Sequence, residues 1–182
     1  MNDADEVLIL VDDDDQEIGT APKLEAHRAG ALHRAFSLMV WNSEGHLLLQ
    51  ERHRGKYHSG GLWTNAVCGH PRPGEDVLAG ALRRLDEEMG FTCALEKLGT
   101  LRYRAALDHG LTEHELVHIY RGLHDGTVEP NPDEADSYRW IPIEELHAEM
   151  KSRPERFTAW FRQYAAAQWP LSRGTKPAQS QG

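Results

Sequence analysis

Residues 114–118 read His-Glu-Leu-Val-His and fit H-E-x-x-H, a pattern in which two imidazoles bind zinc and the glutamate serves as general base. That chemistry needs both histidines on one face of a helix, hence about ten helical residues around the motif. The neighbourhood argues otherwise. Gly110 and Gly122 bracket the segment, and Thr112, Val117, Ile119 and Tyr120 favour strand. In a strand, alternation puts Glu113, Glu115, Val117 and Ile119 on one face and His114, Leu116, His118 and Tyr120 on the other. The groups paired for chemistry are then two carboxylates. A five-residue pattern also arises readily by chance in a chain with eleven histidines, so zinc proteolysis is the weakest reading.

A second chemical stretch runs from Gly69 to Phe91. It tracks the Nudix pattern G-x5-E-x7-R-E-U-x-E-E-x-G-U, where U is a bulky apolar residue. Gly69, Glu75, Arg83, Leu85, Glu87, Glu88, Gly90 and Phe91 match, and Arg84 stands where a glutamate is expected. Nudix hydrolases use the clustered carboxylates to hold Mg²⁺ on a diphosphate. A cation in their midst argues against ordinary hydrolysis and suits holding a diphosphate without cleaving it. Arg84 and Glu88 are four residues apart and share a helix face, so one can meet phosphate oxygens directly and the other through Mg²⁺.

The likeness narrows at "LWTNAVCGHPRPGED", which resembles the active-site loop of the type I isopentenyl-diphosphate isomerases, a Nudix-fold family. It continues in order through "KLEAHRAGALHRAFS", "ERHRGKYHSGGLWTN", "LRYRA", "TEHELVHIY" and "RFTAWF", covering roughly residues 5–165. The resemblance implies a metal site of His27, His33, His70, Glu113 and Glu115. Imidazoles with carboxylates suit Zn²⁺, Mn²⁺ or Fe²⁺, and five ligands exceed the four usual for zinc. It further implies Mg²⁺ on the diphosphate, anchored by Glu88 and the Cys68 carbonyl, with Lys23, Arg52, Lys56 and Arg84 around the diphosphate.

The implied reaction interconverts isopentenyl and dimethylallyl diphosphate by a 1,3-proton shift. An unactivated alkene is protonated to a tertiary carbocation and deprotonated on its opposite face, in a pocket that excludes water. Cys68 is expected to be the base, its thiolate favoured by nearby cations. Glu115 is expected to act from the other face as an acid through Tyr103, and Trp160 to offer its π face to the cation. The plain readings stand beside these. A lone cysteine is usually a buried small hydrophobe, the reading kept for Cys93. Trp160 has helical spacing with Phe157 and Phe161, and Tyr103 suits ordinary strand packing. Glu87 reads as a solvated helix residue, and the remaining histidines, His58, His114 and His118 among them, as surface or structural. The rival functions are a Nudix diphosphohydrolase and a non-catalytic diphosphate-binding module.

The elements that must position these groups are legible in outline. Residues 7–11 and 17–20 read as a hairpin around an acidic turn that lacks the spacing of a calcium loop. A polar segment leads to a strand at 35–41, a turn at 43–46, and a partner strand at 47–52. Residues 61–76 read as loop. Val77, Leu78, Ala81, Leu82, Leu85 and Met89 form the apolar stripe of a helix that Gly90 ends. A strand is expected near 97–105, a strand and helix over 138–153, and a final helix from 154. The class is α/β (α+β): a mixed, mainly antiparallel sheet packed between helices, with an added N-terminal hairpin. One domain over 1–169 and a disordered tail over 170–182 are expected.

Bulk properties agree with a small-molecule enzyme. The 182 residues carry a formal charge of −9, unfavourable for a general nucleic-acid binder. Two cysteines do not make a disulfide framework, the acidic N-terminus lacks a signal peptide's basic region, and no apolar run approaches the roughly 18 residues of a membrane helix. A cytoplasmic monomer is expected.

Overall fold

The acidic turn docks the N-terminal hairpin onto the rest of the chain. A computed structural model describes residues 6–56 and 58–171, with Trp169 by its backbone alone. Strands β1 (Val7–Val11) and β2 (Glu17–Pro22) pair antiparallel. Asp12 Oδ1 accepts the backbone N–H groups of Asp14 and Gln16 at 2.9 Å each, closing the turn between them. Asp15 then reaches the sheet, within 2.7 Å of Arg34 Nε and 2.8 Å of His118 Nε2.

After the hairpin comes a helix where a polar, loose segment was expected. Helix α1 (Lys23–Ala29) has no apolar stripe and is too short to be stable alone, so burial decides it. It buries Lys23, Ala26 and His27, and Gly30 in the left-handed region (φ 62°) ends it.

Strand β3 (His33–Trp41) is the centre of the fold. It is followed by β4 (His46–Arg52), β5 (Trp63–Asn65), β6 (Val67–Gly69), helix α2 (Val77–Met89), β7 (Leu95–Ala106), β8 (Thr112–Leu123), β9 (Ala135–Pro142), α3 (Ile143–Ser152) and α4 (Ala159–Ala167). Among the described residues, all nine strands form one sheet. Only β3 and β8 run parallel, from His33 beside Glu115 to Trp41 beside Leu123, and the other pairings are antiparallel. The region 61–76, expected as loop, contributes β5 and β6. Their three residues each lack room for an alternating pattern.

Two apolar layers cover the sheet. On one face Ala35, Met39, Trp41, Val117 and Ile119 pack against Leu146 of α3 and Trp160, Phe161 and Tyr164 of α4. On the other Phe36, Leu38, Val40 and Tyr120 pack against Ala81, Leu85 and Met89 of α2. Residues 114–118 thus lie in a strand, with alternation as expected. The chain extends its packed core to Leu171, only 3 % exposed and part of the first layer, two residues past the expected end of the domain. The remainder of the expected tail, 172–182, lies outside the described residues. No helix among the described residues is long and apolar enough to cross a membrane.

Helix α2 is bounded as its sequence requires. Asp76 caps its start, accepting the Ala79 N–H at 3.1 Å, and Gly90 ends it at φ 73°. A Cβ at Gly90 would stand 2.5 Å from the Glu129 carbonyl oxygen, whereas at Gly74, also at positive φ, it would meet nothing within 4 Å. Gly90→Ala is therefore expected to destabilise the protein by about 2–3 kcal/mol, and Gly74→Ala by about 1 kcal/mol, in urea denaturation.

Candidate active site

Strand register brings the polar residues together. The parallel β3–β8 pairing sets His33 beside Glu115, and the antiparallel β7–β8 pairing sets Tyr103 opposite Glu115. The β3–β6 pairing sets Ser37 opposite Cys68. α1 adds His27, and the turn after β6 adds His70.

His27, His33 and His70 each offer a ring nitrogen within 4.8 Å of the others, and all three are buried. Glu115 Oε1 lies 3.0 Å from His70 Nε2 and 3.5 Å from His33 Nε2. His33 Nδ1 donates to the Ala31 carbonyl at 2.9 Å, which leaves Nε2 as the nitrogen facing the cluster. Tyr103 Oη lies 2.7 Å from Glu115 Oε2 and 2.9 Å from Glu113 Oε2. One phenolic proton cannot satisfy two ionised carboxylates, so the cluster needs a further proton or positive charge.

The titrations express the same need. Burial, then the charge of Glu115, pushes the Glu113 carboxyl up. Burial would also raise Glu115, but hydrogen bonds and charge from His33 and His70 outweigh it and hold Glu115 well below the carboxylate range. Burial opposes charge on His70, yet Glu6 and Glu115 overcome it and raise its pKa to about 9. Burial, then His70 and His33, lowers His27 to about 3, keeping it neutral. The three imidazoles, packed and buried in this way, could hold a metal ion, with Glu115 beside two of them.

The surroundings of Cys68 bear on the expected thiolate. Asn65 Nδ2 donates to the Leu38 and Val67 carbonyls at 2.9 and 3.0 Å, which fixes its amide and turns Oδ1 toward the sulfur. An amide oxygen only accepts, so Cys68 Sγ, 3.2 Å away, donates to it as a thiol. Ser37 Oγ lies 3.1 Å from the same sulfur. Burial pushes the thiol up to about 12, and the charges of Glu115 and Glu113 add to the shift. Burial first, and then the two carboxylates, thus favour the thiol over the expected thiolate in the metal-free protein.

A cleft of about 300 Å³ opens onto these groups. Cys68, Tyr103, Glu113, Glu115 and Trp160 line it together with Lys23, Arg52, Lys56 and Arg84. Arg84 Nη2 bridges Glu88 at 2.8 Å and Glu134 at 3.2 Å, and Lys56 Nζ meets Glu134 at 2.6 Å. Gln50 holds the other Glu88 oxygen at 2.9 Å. The Arg52 guanidinium lies over the Trp160 ring, 5.1 Å from its centroid, while Trp160 Nε1 donates to Thr64 Oγ1 at 2.9 Å. Glu87 is exposed and pairs with Arg83 and Arg84, as a solvated helix residue should.

Sequence reasoning missed several residues of the site. Glu6 and Glu134 pair with its cations, Asn65 and Ser37 hold the thiol, and His58 packs edge-on against Trp160 at 5.8 Å. His58 is buried in the cleft wall, the structural rather than the surface reading of that histidine. His114 and His118 point away from the cluster, His114 to the Gly30 carbonyl and His118 to Asp15.

The NUDIX domain family model matches residues 31–161. An isopentenyl-diphosphate Delta-isomerase of Serratia proteamaculans is 53% identical over 157 residues, covering 86% of this chain and 88% of that protein. One from Burkholderia multivorans is 52% identical, covering 86% and 89%. Among solved structures, a Deinococcus radiodurans protein superimposes with a TM-score of 0.76 over 90% of this chain and 99% of that one, at 19% identity. A MutT protein of Methanosarcina mazei gives 0.62 over 75% and 91%, at 20% identity. These two likenesses concern the fold alone. The fold and the helix carrying the box define a Nudix-domain protein. Within that class, the chain belongs to the isopentenyl-diphosphate Delta-isomerase family.

The raised His70 pKa carries a stability consequence for the metal-free protein. Its ion pairs with Glu6 and Glu115 contribute fully below the ordinary value of 6.5 and are lost as pH rises through about 9. Stability of metal-free protein should therefore fall between those values, by about 3 kcal/mol at most, in denaturant titrations. His70→Gln should flatten that decline.

Proposed function

We propose that the protein interconverts isopentenyl diphosphate and dimethylallyl diphosphate by a 1,3-proton shift. The observation that carries this reading is the meeting of Cys68, Glu115 and Tyr103 with Lys23, Arg52, Lys56 and Arg84 in one cleft. The cations suit a diphosphate, and the thiol and carboxylate suit two proton transfers at the attached hydrocarbon. Arg84 already neutralises Glu87 and Glu88, which disfavours the box as a hydrolytic magnesium site.

The chemistry follows from what each group holds. Cys68 enters as a thiol and gives its proton to the terminal alkene carbon, leaving a tertiary carbocation. From the opposite face Tyr103 accepts the C2 proton as its own phenolic proton passes to Glu115 Oε2, and the C2–H electron pair becomes the new double bond. The sulfur becomes a thiolate stabilised by Ser37, and the reverse reaction retraces the same transfers. This sense is opposite to the one expected from sequence, because the thiol rather than the thiolate is the buried form. Trp160 lines the cleft, and its indole, already beneath the Arg52 guanidinium, would offer π density to the carbocation.

His27, His33, His70, Glu113 and Glu115 would hold the divalent metal, Zn²⁺ or Mn²⁺. When bound, it supplies the positive charge that keeps two buried carboxylates ionised. Mg²⁺ arriving with the diphosphate would be held by Glu88 and the Cys68 carbonyl.

Incubation with isopentenyl diphosphate, followed by NMR, is expected to show dimethylallyl product, and release of free phosphate in its place would mean a hydrolase. Cys68→Ala and Glu115→Gln are each expected to lower kcat by at least roughly 10²–10⁴-fold with the fold intact. Wild-type turnover in either variant would remove that residue from the mechanism.

A further inference from the structure

Glu6 lies one residue before β1, outside the Nudix match and outside every motif that marks the site. Its position is nevertheless specific. The Glu6 carbonyl accepts the Lys23 backbone N–H at 2.8 Å, which ties this residue to the start of α1. Its side-chain Oε2 accepts from Lys23 Nζ at 2.8 Å and lies 3.3 Å from His70 Nδ1. The opposite nitrogen of that ring, Nε2, faces Glu115 within the His/Glu cluster at 3.0 Å.

A carboxylate held ionised can only accept, so the nitrogen facing Glu6 carries a proton. When His70 is neutral, its lone pair is then on Nε2, directed into the cluster. His33 is arranged in the same way by a different acceptor, with Nδ1 on the Ala31 carbonyl and Nε2 toward Glu115. The Glu6–Lys23 pair is itself largely buried, so one carboxylate serves both the Lys23 ammonium and the His70 ring. A carboxylate on the far nitrogen of a ligating imidazole fixes ring orientation and raises its basicity.

We propose that Glu6 is a positioning residue of the metal site, orienting His70 so that Nε2 is the ligating nitrogen, with Lys23 holding the carboxylate in place. The role rests on the metal reading given above for His27, His33, His70, Glu113 and Glu115.

The test uses full-length metal-free protein and Zn²⁺, with affinity read by competition against a chromophoric chelator and folding by circular dichroism. Glu6→Ala is expected to weaken Zn²⁺ binding roughly 10–100-fold while the protein remains folded. Glu6→Gln, which keeps an acceptor without charge, should fall between it and wild type. His33→Gln serves as the reference for the cluster itself. Wild-type Zn²⁺ affinity in folded Glu6→Ala, with binding lost in His33→Gln, would overturn the role of Glu6. Should Glu6→Ala fail to fold, wild-type affinity in Glu6→Gln would overturn it equally. If His33→Gln binds Zn²⁺ as tightly as wild type, the cluster is not the metal site and the underlying reading fails first.

Discussion

The parallel pairing of β3 with β8 is the constraint on which the site depends. It runs for nine residue pairs, and β3 is covered on both faces along its length. A slip of one residue would move every side chain of β8 to the wrong face. Val117 and Ile119 would leave the layer under α4, and Glu113 and Glu115 would leave the cleft with them. The apolar fit of one half of β8 thereby sets the placement of two carboxylates in the other half. A site that buries charge uses the hydrophobic core to choose its register.

That placement has an electrostatic cost, and the neighbourhood answers it with specific partners. Glu115 is held ionised by imidazoles, while Glu113, crowded by Glu115, is pushed toward its neutral form. The same carboxylates help keep the Cys68 proton on sulfur. Ser37, Asn65 and Thr64 connect the thiol to the indole of Trp160 through short hydrogen bonds anchored on backbone carbonyls. The thiol and the aromatic wall are thus set by one polar network embedded in an apolar layer.

Much of this was legible in the sequence. The stripe of α2, its stop at Gly90, the hairpin and the alternation of β8 are local patterns with local causes. Glu113 and Glu115 were placed by period alone. Helix α1 was not, because seven residues without a stripe are helical only where tertiary contacts bury them. Glu6 and Glu134 were not, since an acidic residue in an acidic chain carries no signal until its partner cation is known. The thiol form of Cys68 was missed for a similar reason. Nearby cations in the sequence suggested thiolate, whereas the atoms in contact with the sulfur are an amide oxygen and a hydroxyl.

The cluster draws its members from widely separated points along the chain, which orders its assembly in time. His27, His33 and His70 are synthesised well before Glu113 and Glu115, and β8 can join β3 only after the intervening strands and α2 have been made. A nascent chain therefore presents these imidazoles before Glu113 and Glu115. The full His/Glu cluster is thus a property of the finished sheet, complete only once β8 has found its place beside β3.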